Sequence, residues 1–293
     1  MNNYLPLFCA TALTMSACSH RSTVTAPAAT QVGITHKSTS RSITTLDYSL
    51  NAVLWQQQSG EYRALCYQAF ALAKLQLADA LRQHPKSAKP LAIVTDIDET
   101  ILDNSPQQAQ DILDHTTYTE KSWKAWTAKA SAKTLPGAVA FFQYAAQQGV
   151  QIFYISNRSQ DELAATIQNM KTAGFPQADD KHVLMKGESS DKEPRRQSVA
   201  QTHDIVMLVG DNLNDFDSMF HKQRADKRRD LVDANQSLFG TKFVVLPNAI
   251  YGDWESALWA GQTLTPAEAD ALKHKALEGY KSDLATLESN NPK

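Results

Sequence analysis

Apolar runs in this chain are short, and a polar residue closes each of them. Residues 91–95, LAIVT, lead directly into Asp96-Ile97-Asp98. Residues 150–155 run into Ser156-Asn157-Arg158, residues 205–209 into Gly210-Asp211, and residues 242–246 into Pro247-Asn248. Residues 183–185 form a weaker run ending at Lys186. Runs of this length predict buried strands. Residues 53–80, 138–148, 161–173 and 194–201 predict helices instead. In the first of these, Leu65, Ala69, Leu72 and Leu75 recur at three- and four-residue spacing, Gly60 interrupts the early part, and His84-Pro85 follows the end. Strands alternating with helices predict an α/β fold, a parallel sheet covered on both faces. Ligands of open parallel sheets bind beyond the carboxyl ends of the strands. Asp96, Asp98, Ser156 and Asp211 are therefore expected to meet, and the segment 186–192 to enter the same region.

The amino-terminal stretch breaks this pattern. Residues 5–17 are mostly apolar or small and close on Met15-Ser16-Ala17-Cys18. A short apolar segment ending in small residues reads as a signal peptide, not a membrane span. The small residues before Cys18 resemble a bacterial lipobox, which makes Cys18 the lipidated residue and residues 1–17 the signal. Ser19, a non-acidic residue after that Cys, implies sorting to the outer membrane; plain export to the periplasm is the alternative. Residues 18–45 are rich in Ser, Thr and Ala with no apolar period, and they read as a flexible tether. Residues 46–293 form the remaining domain. Of the three cysteines, Cys9 leaves with the signal and lipid occupies Cys18, so Cys66 has no disulfide partner and packs as a small apolar residue. The 293 residues carry a net charge of −2 and are 42% hydrophobic, which supplies a core and gives no sign of binding a nucleic acid polymer. The basic stretch 222–229 reads as a solvated face.

The chemistry lies in the acids. Asp96 and Asp98, two apart on extended chain, point the same way and repel each other; a bound divalent cation relieves that repulsion through oxygen ligands. Asp211 and Asp215 supply a second pair, with Gly210 allowing close backbone approach. Ser156 and its neighbouring backbone suit phosphate oxygens. A lysine is needed to offset the negative charge, and Lys186 and Lys192 are both candidates, the latter just before a helix start at Pro194. No Gly-x-x-x-x-Gly-Lys, His-Glu-x-x-His or Cys-x-x-Cys is present, which argues against P-loop triphosphate hydrolysis and structural zinc.

In order, Asp96-x-Asp98-x-Thr100, Ser156, a lysine and Gly210-Asp211-x-x-x-Asp215 resemble the four motifs of the haloacid-dehalogenase superfamily. More closely, the chain resembles the class C bacterial acid phosphatases. The stretches carrying this are VLWQQQSGEY from Val53, VTDIDETILDNS from Val94, LPGA from Leu135, SNR from Ser156, GDNLNDF from Gly210 and LPNAIYGDWE from Leu246. The resemblance implies a Rossmann-like parallel sheet flanked by helices, with a smaller, mainly helical cap. It implies Mg²⁺-dependent hydrolysis of small phosphomonoesters such as 5′-nucleotides. Asp96 would be the nucleophile and Asp98 the general acid and base. The Asp96 carboxylate, the Asp98 backbone carbonyl and Asp211 would hold the metal, with Asp215 in support. Ser156, Asn157 and Lys192, or Lys186 in its place, would bind phosphate, with Arg158 a further candidate. Trp123 and Tyr251 are the first choices for a ring over the leaving group. Trp126 and Trp254 lie in the same two segments, and all four rings also suit a core. The resemblance leaves room for a homodimer.

Overall fold

In the computed structural model, residues 45–84 and 89–280 are described. The expected signal peptide, Cys18 and the tether as far as residue 44 lie outside them. Two helices come first, α1 (Thr45–Gln58) and α2 (Gly60–Gln83). Ser59 separates them and caps α2, its side chain accepting the Tyr62 N–H. The chain then enters β1 (Leu91–Thr95). An insertion follows, made of β2 (Leu102–Asp103), α3 (Ser105–Leu113), α4 (Glu120–Thr127) and β3 (Lys133–Thr134). Beyond it run α5 (Ala138–Gln147), β4 (Gln151–Ile155), α6 (Leu163–Ala173), β5 (Val183–Leu184), α7 (Glu193–Thr202), β6 (Asp204–Gly210), α8 (Ala225–Ala234) and β7 (Phe243–Val245). Short α9 (Asp253–Ser256) and α10 (Pro266–Ala276) complete the described chain.

The five principal strands form one parallel sheet in the order β5-β4-β1-β6-β7. Strand β1 is central because all five of its residues are buried, so it needs cover on both faces and neighbours on both edges. Alternate residues of the strand serve different layers. Leu91 and Ile93 join a core with Tyr62, Cys66, Phe70, Ala73 and Leu77 of α2 and Phe141 and Phe142 of α5. Ala92 and Val94 join a second core with Val199 of α7, Phe216, Phe220 and Phe243. The chain leaves β1 toward β4 on one side and returns to β6 on the other. The carboxyl end of β1 is thus the point where strand order reverses, and a crevice opens there. The insertion stands beside it, with β2 and β3 paired antiparallel and α3 packed on α1.

The expected strands and the helices over 138–148, 161–173 and 194–201 are present within a residue or two, the helix expected over 53–80 is instead two helices broken at Ser59 that reach from Thr45 to Gln83, and Cys66 is fully buried as a packing residue. The face of α2 is different. The repeat Leu65, Leu72 and Leu75 points outward, with Leu75 68% exposed, while Tyr62, Cys66, Phe70, Ala73 and Leu77 face the sheet. Both sets satisfy helical spacing. The aromatic rings decide between them, because Phe70 packs with Phe141 and Phe142 and buries more apolar area than a leucine does. This orientation is testable by urea unfolding. Leu77→Ala should cost about 2–5 kcal/mol, and Leu75→Ala should stay within about 0.5 kcal/mol. Equal losses would mean that α2 sits in another rotation.

Candidate active site

The loop after β1 is held against the sheet by its own backbone, the Asp96 N–H donating to the Val209 carbonyl at 2.9 Å. This puts Asp96 in the crevice at 7% exposure. Asp211 follows β6, and Asp215 closes a 3-10 turn begun by Asn212. The Asp215 carboxylate accepts the Asn212 N–H at 2.9 Å. Its side chain lies directly over Gly210, where a Cβ would collide with it. Glycine is required at that position by close approach, not by its dihedral angle. Asp96, Asp211 and Asp215 each present a carboxylate oxygen, and the three oxygens lie within 4.8 Å of one another. Thr100 Oγ1 stands between two of them, 3.2 Å from Asp96 Oδ2 and 3.2 Å from Asp211 Oδ1. Asn248, just past β7, donates Nδ2 to Asp211 Oδ2 at 2.8 Å.

Lysine 192 enters this acidic cluster from the start of α7. Its ammonium pairs with Asp96 and lies 2.6 Å from Asp215 Oδ1. Burial alone would lower the lysine's pKa; Asp215 and Asp96 outweigh it and hold the ammonium well above the ordinary lysine range. Burial also pushes the Asp96 carboxyl up, to about 7, with Lys192 opposing and Asp215 adding to the shift. Asp211 is raised well above the ordinary carboxylate range, first by burial and then by Asp215 and Asp96. Lys186 is exposed and takes no part in this cluster.

Asp98 belongs to a different network. Its carboxylate turns toward Arg158, which is almost wholly buried and donates Nη2 at 2.8 Å and Nε at 3.0 Å to Oδ1. Asn104 Nδ2 donates to the same oxygen at 2.8 Å, and Ser156 Oγ lies 3.2 Å from Oδ2. Arg158 therefore grips a carboxylate through a charge-assisted fork, and Ser156 is buried beside it. Asn157 is exposed at the crevice, its side-chain oxygen accepting from Arg195 at 2.8 Å.

These residues border a cleft of about 460 Å³ lined by Asp96, Asp98, Lys192, Asp211, Trp123 and Tyr251, among others. Arg158 lies 5.6 Å from the centre of the Trp123 ring, a cation–π contact that steadies this wall. Trp126 does not reach the cleft; it packs on the core and donates Nε1 to Asn104 at 2.8 Å. Trp254 lines an adjoining hollow of about 450 Å³ that shares Asp211, Asn212, Tyr251 and Gly252 with the cleft.

Several buried supports carried no distinguishing signal in the sequence. Arg228 comes from the basic stretch read as a solvated face, yet it is buried. It donates to Asn212 Oδ1 at 3.1 Å, Asn214 Oδ1 at 3.2 Å and the Phe220 carbonyl at 2.8 Å, bracing the loop of Asp211 and Asp215. Arg196 braces the same loop through the Asn214 and Asp215 carbonyls at 2.9 and 3.0 Å. Thr100, Asn104 and Glu99 lie within the DETILDNS stretch, but only a three-dimensional view separates them from its other polar residues.

Residues 11–254 match the family described as HAD superfamily, subfamily IIIB (Acid phosphatase). Two structures of a class C acid phosphatase from Bacillus anthracis are similar to the chain. One is 42% identical with a TM-score of 0.77, covering 80% of this chain and 99% of that one. The other, with tungstate bound, is 41% identical with a TM-score of 0.78, covering 82% and 100%. Among curated proteins, the chain is 28% identical to a stem 31 kDa glycoprotein of Glycine max, over 41% of this chain and 49% of the relative. It is 25% identical to acid phosphatase 1 of Solanum lycopersicum, over 42% and 50%. The chain spans about half the length of the curated relatives it matches. With an acidic cluster and a buried lysine at the reversal point of its sheet, the chain belongs to the acid phosphatases of subfamily IIIB of the HAD superfamily.

Proposed function

We propose that this chain is a Mg²⁺-dependent acid phosphatase that hydrolyses small phosphomonoesters, 5′-nucleotides among them, through an aspartyl phosphate. The observation that carries this is the meeting of Asp96, Asp211 and Asp215 around one point, with Lys192 against two of them. An all-oxygen donor set with this much negative charge suits a hard divalent cation. Asp96, Asp211 and Asp215 would hold it together with the Asp98 backbone carbonyl. When bound, the metal neutralises charge on the transferring phosphoryl group.

The chain's own residues then divide the work. The Asp96 carboxylate attacks phosphorus as the bond to the leaving oxygen breaks. Asp98, facing the cleft with its side chain 18% exposed, gives its proton to that oxygen. In the second half Asp98 takes a proton from water, the water oxygen attacks phosphorus, and Asp96 is released with inorganic phosphate. The fork from Arg158 and the amide of Asn104 hold the Asp98 carboxylate in place between the two halves. Lys192 meets phosphate oxygens while keeping Asp96 and Asp215 from repelling each other. Asn157 lines the cleft at the proposed phosphate position, Ser156 lies buried behind it against Asp98, and Trp123 and Tyr251 offer rings to a planar leaving group. The tungstate bound to the Bacillus anthracis relative, a tetrahedral oxyanion, supports a phosphate-shaped site in that fold. No helix among the described residues is long and apolar enough to cross a membrane. We infer attachment to the outer membrane through lipid on Cys18, with a soluble periplasmic form as the alternative.

Phosphate release from p-nitrophenyl phosphate and a 5′-mononucleotide at mildly acidic pH should require Mg²⁺ and stop with chelator or with Asp96→Asn. Folded wild-type protein that turns over neither ester in the presence of metal would sink this reading. The two lysines separate cleanly in the same assay. Lys192→Met should lower kcat by at least about 100-fold, the scale for removing a charge that stabilises a transition state, while Lys186→Met should stay within about twofold.

Metal binding has a readout independent of turnover. Without metal, Asp96 and Asp211 are raised above their unfolded values near 4, Asp96 to about 7, so the folded chain holds extra protons above about pH 4, the one on Asp96 until about pH 7. A raised carboxyl favours the folded state while protonated, so the stability of chelated protein falls as pH rises through that window. The metal competes with those protons. Saturating Mg²⁺, at about 100 times its Kd, should raise Tm by about 5–10 °C at pH 7.5 and by clearly less at pH 5. Equal shifts at both pH values would show that these carboxylates are not its ligands.

A further inference from the structure

Glu99 has no part in the chemistry above, yet it is fully buried beside it. Its backbone is left-handed, at φ 56°, a conformation that disfavours any residue with a side chain. The surrounding structure must hold it there. Among the described residues no cation pairs with its carboxylate; its partners are all neutral donors. Oε1 accepts the Asn104 N–H at 2.7 Å, and Oε2 accepts Asn104 Nδ2 at 3.3 Å together with the Tyr251 hydroxyl. Burying an acidic group with no cation beside it costs stability that an apolar side chain would not, so packing alone does not explain it. Its bonds join two segments distant in sequence, the loop after β1 that carries Asp96 and Asp98 and the loop after β7 that carries Tyr251.

We propose that Glu99 is a positioning residue for leaving-group recognition, acting through Tyr251. The inference rests on reading the cleft as the leaving-group site. The Tyr251 ring lines that cleft, and its hydroxyl end is fastened to Glu99 behind the wall. A ring fixed at both its Cβ and its hydroxyl keeps one orientation. A ring fixed only at Cβ samples others and must give up that freedom each time a planar group stacks on it. The benefit therefore falls on binding of planar leaving groups, not on phosphoryl transfer. Glu99 is suited to the task because its own carboxylate is fixed by Asn104, whose side chain is in turn held by Trp126 and Arg158.

The test is steady-state kinetics of the full chain with Mg²⁺ on two substrates, a 5′-mononucleotide with a planar base and glycerol 2-phosphate with none. Glu99→Gln, Tyr251→Phe and the double variant are compared with wild type. Glu99→Gln should raise KM for the nucleotide about 5- to 10-fold, the size expected for one lost hydrogen bond, with kcat falling less than about threefold. KM for glycerol 2-phosphate should move far less. Tyr251→Phe keeps the ring and loses the same bond, so it too should raise the nucleotide KM. The double variant should be no worse than Tyr251→Phe alone, since the two changes remove one interaction. Three results overturn the inference: a Glu99→Gln variant that matches wild type, equal kcat losses on both substrates at unchanged KM, or single effects that multiply in the double variant. Should Glu99→Gln fail to fold, Tyr251→Phe alone decides, and an unchanged nucleotide KM overturns the proposal. Failure of the folded wild-type chain on both esters removes the phosphatase reading and this inference together; any result seen only in the variants bears on the inference alone.

Discussion

The contact on which the rest of the site depends is the Lys192 ammonium between Asp96 and Asp215. Three carboxylates brought within 4.8 Å, two of them buried, repel strongly. A fold can tolerate that only with positive charge at the centre or with protons on the acids. The lysine supplies the permanent part of that charge. Even beside that ammonium, burial and then mutual repulsion hold the Asp96 and Asp211 carboxyls above the ordinary carboxylate range. A divalent cation, as proposed above, would supply the remaining positive charge.

The scaffold serves this electrostatic problem by keeping the charged groups on separate, rigid supports. Asp96 stands on the central strand, Asp211 and Asp215 follow its neighbour β6, and Lys192 opens α7. Each support is fixed by its own interactions: the sheet for Asp96, Arg196 and Arg228 beneath the loop of Asp211, and the helix start for Lys192. Asp98 takes its hydrogen bonds from Arg158 and Asn104, outside the cluster of Asp96, Asp211 and Asp215. Two neighbouring carboxylates two residues apart thereby receive different partners, and different partners allow different duties.

The strands and their polar ends were legible because a buried parallel strand has to be an uninterrupted apolar run, and a site at its end has to begin with a polar residue. The four acids and Lys192 are brought to one crevice, and Lys186, equally close to a strand end in sequence, is left outside. The buried face of α2 was not legible, since Leu65, Leu72 and Leu75 repeat as regularly as Tyr62, Cys66 and Phe70 do. Local spacing cannot say which of two apolar stripes meets a phenylalanine cluster contributed by α5. Arg228 was hidden for the opposite reason. A stretch of lysines and arginines is a solvated face at nearly every position, and only the loop lying over it marks the one guanidinium that is buried. Trp123 and Trp126 differ by three residues on one helix, and only the rotation of that helix puts one ring in the cleft and the other on the core.

The order of strands in the sheet has a consequence in time. Strand β1 pairs with β4 and β6, partners that the chain delivers only after long intervening segments. Pairings between distant segments are slow to form because loop closure must precede the contacts that reward it. Until β6 docks, Asp96 faces neither Asp211 nor Lys192, and the acids are ordinary hydrated carboxylates scattered along a coil. The site is therefore among the last things folding produces, and a chain that has not yet paired β1 with β6 carries no assembled catalyst.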